Sequence, residues 1–137
     1  MSYKIQIEIP FRAGHRLIEP YAGKCNNVHG EGYTAIIELQ SEKLDQNGMV
    51  LDFGEIKGKI REWIMEHWDH TYICHHQDKI GTILDKELMR VFRMQSNPTA
   101  ENMAQFLYEW ISDNLIVDVS KVGIVESFRD SIAWYQK

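Results

Sequence analysis

The sequence is short of three things. It has only two cysteines, Cys25 and Cys74, in 137 residues. That excludes a disulfide framework and suits a reducing compartment such as the cytoplasm. It has no apolar run near the roughly 20 residues of a membrane-spanning helix, so no membrane partner is expected. It is also short of positive charge, with 15 Lys and Arg against 20 Asp and Glu and a net charge of −5. A general nucleic-acid binder needs a basic field, so nucleic acid is not an expected partner. A small anion is still allowed, because a few local cations can form a pocket in an acidic protein. Arg12, Arg16 and Lys24 are the cations placed to do so. Met1-Ser2-Tyr3-Lys4 runs straight into a strand pattern, so no signal segment is expected. No repeat, linker or low-complexity segment stands out.

What is present is enough for a core. At this length, with 44% hydrophobic residues, residues 1–137 read as one globular domain. Ile5, Ile7 and Ile9 alternate with Lys4, Gln6 and Glu8, which predicts a strand with one buried side from Tyr3 to Phe11. Tyr33 to Leu39 is rich in β-formers and predicts a second strand, and Met49 to Leu51 a short buried or extended segment. Ile56, Ile60, Trp63 and Ile64 give one apolar helical face behind the capping residue Asp52. Asp69 to Gln77 is polar and histidine-rich and reads as loop. Leu88 to Met94 has strand character. Thr99 can cap a helix whose buried face is Met103, Phe106, Leu107, Trp110 and Ile111. Val119 to Phe128 and Ile132 to Tyr135 read as closing strands around Arg129-Asp130. The order β-β-α-β-α-β-β predicts an α+β fold with antiparallel hairpins.

The chemistry gathers in Cys25-Asn26-Asn27-Val28-His29-Gly30-Glu31, with His15 ten residues before the thiol. On a strand, His29 and Glu31 leave the same face. With a histidine from a neighbouring strand they make three protein ligands and leave a fourth position open, the pattern of a catalytic zinc. Cys25 beside a divalent cation has its thiolate form favoured, and so becomes a base or nucleophile; alone, it reads as an ordinary loop cysteine. Asp69 can orient His70 as an acid–base partner, or the two are a surface pair. Glu126 follows the apolar run Val122-Gly123-Ile124-Val125 and needs a partner. Either an arginine of the chain or a ligand with two parallel N–H donors meets that need.

Taken together, these segments resemble the family of 6-pyruvoyl-tetrahydropterin and 6-carboxytetrahydropterin synthases, the tunnelling fold. Phe11-Arg12-Ala13-Gly14-His15-Arg16-Leu17 is similar to its Phe-x-Ala-x-His-x-Leu segment. Cys25-x-x-x-His29-Gly30 matches its Cys-x-x-x-His-Gly-His motif, and Asp69-His70 its Asp-His pair. Gly48 to Phe53, Pro98-Thr99-Ala100-Glu101-Asn102 and Glu126-Ser127 resemble further family segments. The resemblance implies zinc (Zn2+) on His15, His29 and the residue at 31, and catalysis by Cys25, Asp69 and His70. It implies a pterin anchored by Glu126, with Thr99 and Glu101 at the helix entrance helping to hold it. Arg12, Arg16 and Lys24 are then candidate contacts for the triphosphate of a 7,8-dihydroneopterin triphosphate substrate. The fold implied is a four-stranded antiparallel sheet with two helices on one face. Three such subunits close a β-barrel and two trimers stack as a homohexamer, with sites between subunits.

Two departures bear on function. Glu31 stands where the family has its third histidine, which adds negative charge to the metal site. Thr71-Tyr72-Ile73-Cys74 replaces the usual sequence after the Asp-His pair. The resemblance implies a lyase whose product is 6-carboxytetrahydropterin, a queuosine precursor, or 6-pyruvoyl-tetrahydropterin. Two other readings remain open. One is an aldolase-type enzyme cleaving a dihydroneopterin side chain for folate synthesis, against which the retained Cys25 argues. The other is a non-catalytic pterin- or metal-binding hexamer, which Glu31 favours and Cys25 with Asp69-His70 opposes.

Overall fold

The computed structural model describes residues 2–127 and 130–137. Two long strands, β1 (Tyr3–His15) and β2 (His29–Ser41), pair antiparallel along their whole length, from Tyr3↔Ser41 to His15↔His29. A helix α1 (Phe53–His67) follows, then a strand β3 (Tyr72–His75), a helix α2 (Lys79–Lys86) and a strand β4 (Val91–Met94). The chain ends with α3 (Ala100–Asn114), β5 (Val119–Glu126) and β6 (Ser131–Tyr135). The sheet order is β4-β3-β1-β2-β5-β6.

The α+β class holds, but among the described residues the sheet has six strands rather than four, and there are three α-helices rather than two. The antiparallel four are β1, β2, β5 and β6. Beyond them β3 pairs parallel with the end of β1, and β4 parallel with β3. The segment read as a histidine-rich loop is where the extension begins. Tyr72, Ile73 and Cys74 are all buried there, because the short strand is covered on both faces. That pattern has no alternation to reveal it. The helix α2 was not expected either. Asp78 caps it by accepting from the Ile80 N–H, and Gly81 lets it approach β3 closely. A Cβ at Gly81 would lie 2.8 Å from Cys74 Sγ. Phe128 and Arg129, read as a strand end and its turn, lie outside the described residues.

The core sits on one face of the sheet. Ile7, Ile9, Phe11 and Ala13 of β1, Tyr33 to Leu39 at alternate positions of β2, and Val122 and Ile124 of β5 meet Ile60 and Ile64 of α1 and Met103, Leu107 and Ile111 of α3. Alternation along each strand thus fixes which end-of-strand residues face the helices. His15, His29, Glu31 and Glu126 continue those inward-facing series. They lie where the N-terminus of α3 meets the sheet.

Candidate active site

His15 and His29 are direct partners across the β1–β2 ladder, with ring centroids 4.5 Å apart. Glu31 is two residues along β2 on the same face. One ligand atom from each of the three lies within 4.8 Å of the others, as the sequence pattern predicts. The protons on the two rings are placed by carbonyl groups, which only accept. His15 Nδ1–H donates to the Pro98 carbonyl at 3.0 Å. His29 Nδ1–H donates to the Asn27 carbonyl at 2.7 Å. Each ring therefore turns a bare Nε2 lone pair inward, the arrangement in which histidines bind metals.

The His15 Nε2 is buried with no hydrogen-bond partner among the described residues. An orphaned buried polar atom is costly and calls for a ligand. The His29 Nε2 faces Glu31 Oε1 at 3.3 Å. A proton between that pair would leave His15 unserved, whereas a divalent cation serves all three. The donor set of two imidazoles and one carboxylate fits zinc. Burial lowers the pKa of His15, and the neighbouring His29 adds to the effect against the Pro98 hydrogen bond and Glu31, which raise it. The ring is thereby held neutral, the ligand form.

Cys25 is brought alongside by its own loop. The Leu17 N–H donates to the Cys25 carbonyl at 2.8 Å, and Asn26 Nδ2 to the Leu17 carbonyl at 2.9 Å. The short 3-10 turn Lys24–Asn26 is thus pinned to the chain just past His15. Asn97 holds the same stretch to the entrance of α3 through two 2.9 Å hydrogen bonds with Ile18. The result is a cavity of about 450 Å³. It is lined by Cys25, the three candidate ligands, Thr99, Glu101 and Glu126. Seven of the candidate residues thus share one cavity.

Glu126 has no salt bridge among the described residues. Burial raises its pKa, and the charges of Glu31 and Glu101 raise it further. Thr99 caps α3 through the Asn102 N–H, so its hydroxyl has a structural task as well as a place in the cavity wall.

Other candidates stand apart. Asp69 and His70 are joined to the edge of β1 through the Arg12 backbone. Asp69 Oδ1 accepts from the Arg12 N–H at 3.0 Å, and Oδ2 from His70 Nδ1–H at 2.7 Å. Burial pushes the Asp69 carboxyl up, but these hydrogen bonds and the charges of His70 and Arg90 outweigh it and hold it below the usual range. The His70 side chain is 78% exposed and its φ is +54°. It borders a second cavity, about 820 Å³, with Arg12, Gly14, Gly30 and Gly32. Arg16 is committed to Asp78, with its Nη2 2.6 Å from Oδ1 and its Nε 3.0 Å away. Lys24 is exposed and does not line the Cys25 cavity. The second cysteine, Cys74, is buried and its thiol is pushed up to about 11, by burial first and Asp78 next, which leaves it inert.

Several contributing residues were not singled out from sequence. Pro98 and Asn27 act through backbone carbonyls, which no side-chain pattern reveals. Tyr33 places its hydroxyl 3.2 Å from His15 Nδ1, and burial, then the charges of Glu126, Glu31 and Cys25, push its pKa up so that it stays neutral. Ser127 bonds to Glu31 through its hydroxyl. Its position directly after Glu126 was the one available signal.

Comparison with known proteins gives a consistent picture. The chain matches the family model for 6-pyruvoyl tetrahydropterin synthase over residues 4–137. It is 42% identical over 111 residues to the 6-carboxy-5,6,7,8-tetrahydropterin synthase of Rickettsia conorii, covering 80% of each chain. Its fold is similar to that of the 6-pyruvoyl tetrahydropterin synthase of Caenorhabditis elegans, with a TM-score of 0.76 and 25% identity over 100% of this chain and 96% of the other. An uncharacterised protein of Wolinella succinogenes shares the fold at a TM-score of 0.84 and 23% identity, over 100% of this chain and 99% of that one.

Proposed function

Because the chain belongs to the 6-pyruvoyl tetrahydropterin synthase family, we propose that it is a zinc-dependent lyase acting on the side chain of 7,8-dihydroneopterin triphosphate. The product is 6-carboxy-5,6,7,8-tetrahydropterin, the queuosine precursor, as the name of the Rickettsia relative supports. The observation that carries the reading is the buried, unpartnered Nε2 of His15, aimed with His29 and Glu31 at one point beside Cys25. The chain acts in the cytoplasm, where free Cys25 and Cys74 persist.

Each residue has a separable task. Glu126 accepts hydrogen bonds from the donor edge of the pterin ring and sets its register in the cavity. Zinc held by His15, His29 and Glu31 would supply a Lewis acid for the side-chain oxygens. Cys25, as thiolate, takes the proton from the neighbouring carbon. His70, with its Nδ1–H fixed on Asp69 and its Nε2 left exposed, relays protons. His70 lines the other cavity of its own protomer, so this task falls to the His70 of an adjoining copy. That supports a homohexameric assembly with sites between subunits. Of the three cations, Arg12 alone lines a cavity without an ion pair among the described residues, and it is the one left to contact the triphosphate.

The test is product analysis with 7,8-dihydroneopterin triphosphate and zinc. Triphosphate release, a two-carbon fragment and a carboxypterin are expected. Unchanged substrate at high enzyme concentration would overturn the lyase reading, and a hydroxymethyl pterin would move the chain to the aldolase-type reaction.

A further inference from the structure

We propose that Ser127 is a positioning residue for the metal centre. Its hydroxyl occupies one carboxylate oxygen of Glu31 and so presents only the other oxygen to the ion held by His15 and His29. The inference rests on the reading that those three residues bind a divalent cation.

A histidine offers a metal one lone pair in a direction fixed by its ring. A glutamate offers two oxygens on a longer, freer side chain. Unrestrained, it can chelate through both oxygens and consume the coordination position that a substrate needs, or it can turn away. A chain with Glu31 as its third donor therefore needs something to restrict that carboxylate. Here Ser127 Oγ–H donates to Glu31 Oε2, while Oε1 lies 3.3 Å from His29 Nε2 on the metal side. The two oxygens have separate partners.

Ser127 is itself held. Its N–H donates to the Gly32 carbonyl at 2.7 Å, one residue beyond Glu31. Its φ is +53°, in the left-handed region that non-glycine residues seldom adopt. This turn comes directly after Glu126, whose ladder partner is Tyr33. It carries the serine back across β2, so that backbone and side chain grip Gly32 and Glu31 together. The donated hydrogen bond also draws charge from the carboxylate. That moderates the extra negative charge that Glu31 brings to the site. Partners of this kind, one bond removed from a metal, govern affinity by about 10–100-fold.

The experiment measures zinc affinity by competition with a chromophoric chelator, and the visible spectrum of the cobalt-substituted protein. Ser127→Gly is the main variant. Glycine favours φ near +53°, so the fold keeps or gains stability while the hydroxyl is lost. Expected results are about 10–100-fold weaker zinc binding and a fainter cobalt spectrum of higher coordination number. Ser127→Thr, which keeps the hydroxyl, retains both properties. In a Glu31→His background, Ser127→Gly changes neither. Wild-type affinity and spectrum in Ser127→Gly, with binding lost in Glu31→Gln, would overturn the Ser127 proposal and leave the metal site standing. So would a loss from Ser127→Gly that is equal with and without Glu31→His, since Ser127 would then act on the fold alone. A wild-type protein that takes up neither zinc nor cobalt would instead overturn the metal reading itself.

Discussion

His15 gives its Nδ1–H to the carbonyl of Pro98, 83 residues away and at 3.0 Å. This one bond sets the tautomer of a buried ring and leaves its Nε2 without a protein partner among the described residues. It also joins the end of β1 to the entrance of α3, so the candidate metal site is built where two distant segments meet.

Removing that ring should remove the metal. His15→Ala is expected to purify without stoichiometric zinc, as measured by elemental analysis. The proposed site exists only in the folded wild type, so free zinc at about 100 times Kd should stabilise it by about 2.7 kcal/mol. Calorimetric melts with and without chelator check this. An equal response in His15→Ala would exclude His15 as a ligand.

Glu126 is expected to trade stability for binding. Its folded pKa is raised above the ordinary 4.5, by burial first and by Glu31 and Glu101 next. In the window above the unfolded pKa, the folded state binds more protons than the unfolded state. Its contribution is therefore fully present below the unfolded pKa and is lost as pH rises through the folded one. Glu126→Gln should be more stable than wild type at neutral pH and lose the pterin. Urea midpoints of the metal-free proteins between about pH 4 and about pH 8, with a fluorescence titration of a neopterin analogue, measure both. A wild-type midpoint that tracks the Gln variant across the range contradicts the prediction.

The pair of Arg16 and Asp78 is predicted to serve stability. Asp78 is fully buried, takes both Nε and Nη2 of Arg16, accepts from Tyr72 Oη at 2.8 Å and caps α2. Removing one partner of such a pair costs about 3–5 kcal/mol. Asp78→Ala should show a loss of that order in urea unfolding. Arg16→Met should lower the midpoint before it alters KM for the triphosphate substrate. A raised KM with unchanged stability would restore Arg16 as a phosphate contact.

Cys25 and His70 border different cavities of one protomer. Cys25→Ala and His70→Ala should each lower turnover by about 10²–10⁴-fold, while Cys25→Ala still binds the pterin analogue. Unfolded together and refolded as mixed oligomers, the two inactive variants should regain part of the activity. Mixtures as inactive as their components would place both groups in one subunit's site.

Much of this was legible in the sequence, for reasons that can be named. Alternation along Ile5, Ile7 and Ile9 fixed which face of β1 is buried, and the parity of His29 and Glu31 put both on that face of β2. Capping by Asp52 and Thr99 marked the starts of α1 and α3. The Tyr72–His75 strand and α2 were missed. A four-residue strand buried on both faces carries no period, and the polar residues around it satisfy each other only in three dimensions, as Asp78 does with Arg16 and Tyr72.

The identity of the donors follows from the chain alone, because residue type and strand parity are local properties. The pairing of His29 with Glu31 was implicit in their spacing, and the family resemblance implied that Cys25 and Glu126 join them and His15. Folding was needed to fix which protons the imidazoles carry, which oxygen of Glu31 faces inward, that Arg16 is spent on Asp78, and that His70 borders a different cavity from Cys25. Three of these turn on groups distant in the chain: Pro98 for the His15 tautomer, Ser127, as proposed above, for the Glu31 oxygen, and Asp78 for Arg16. Hydrogen bonds are directional and short-ranged, so such a partner acts only once folding has brought it to within about 3 Å.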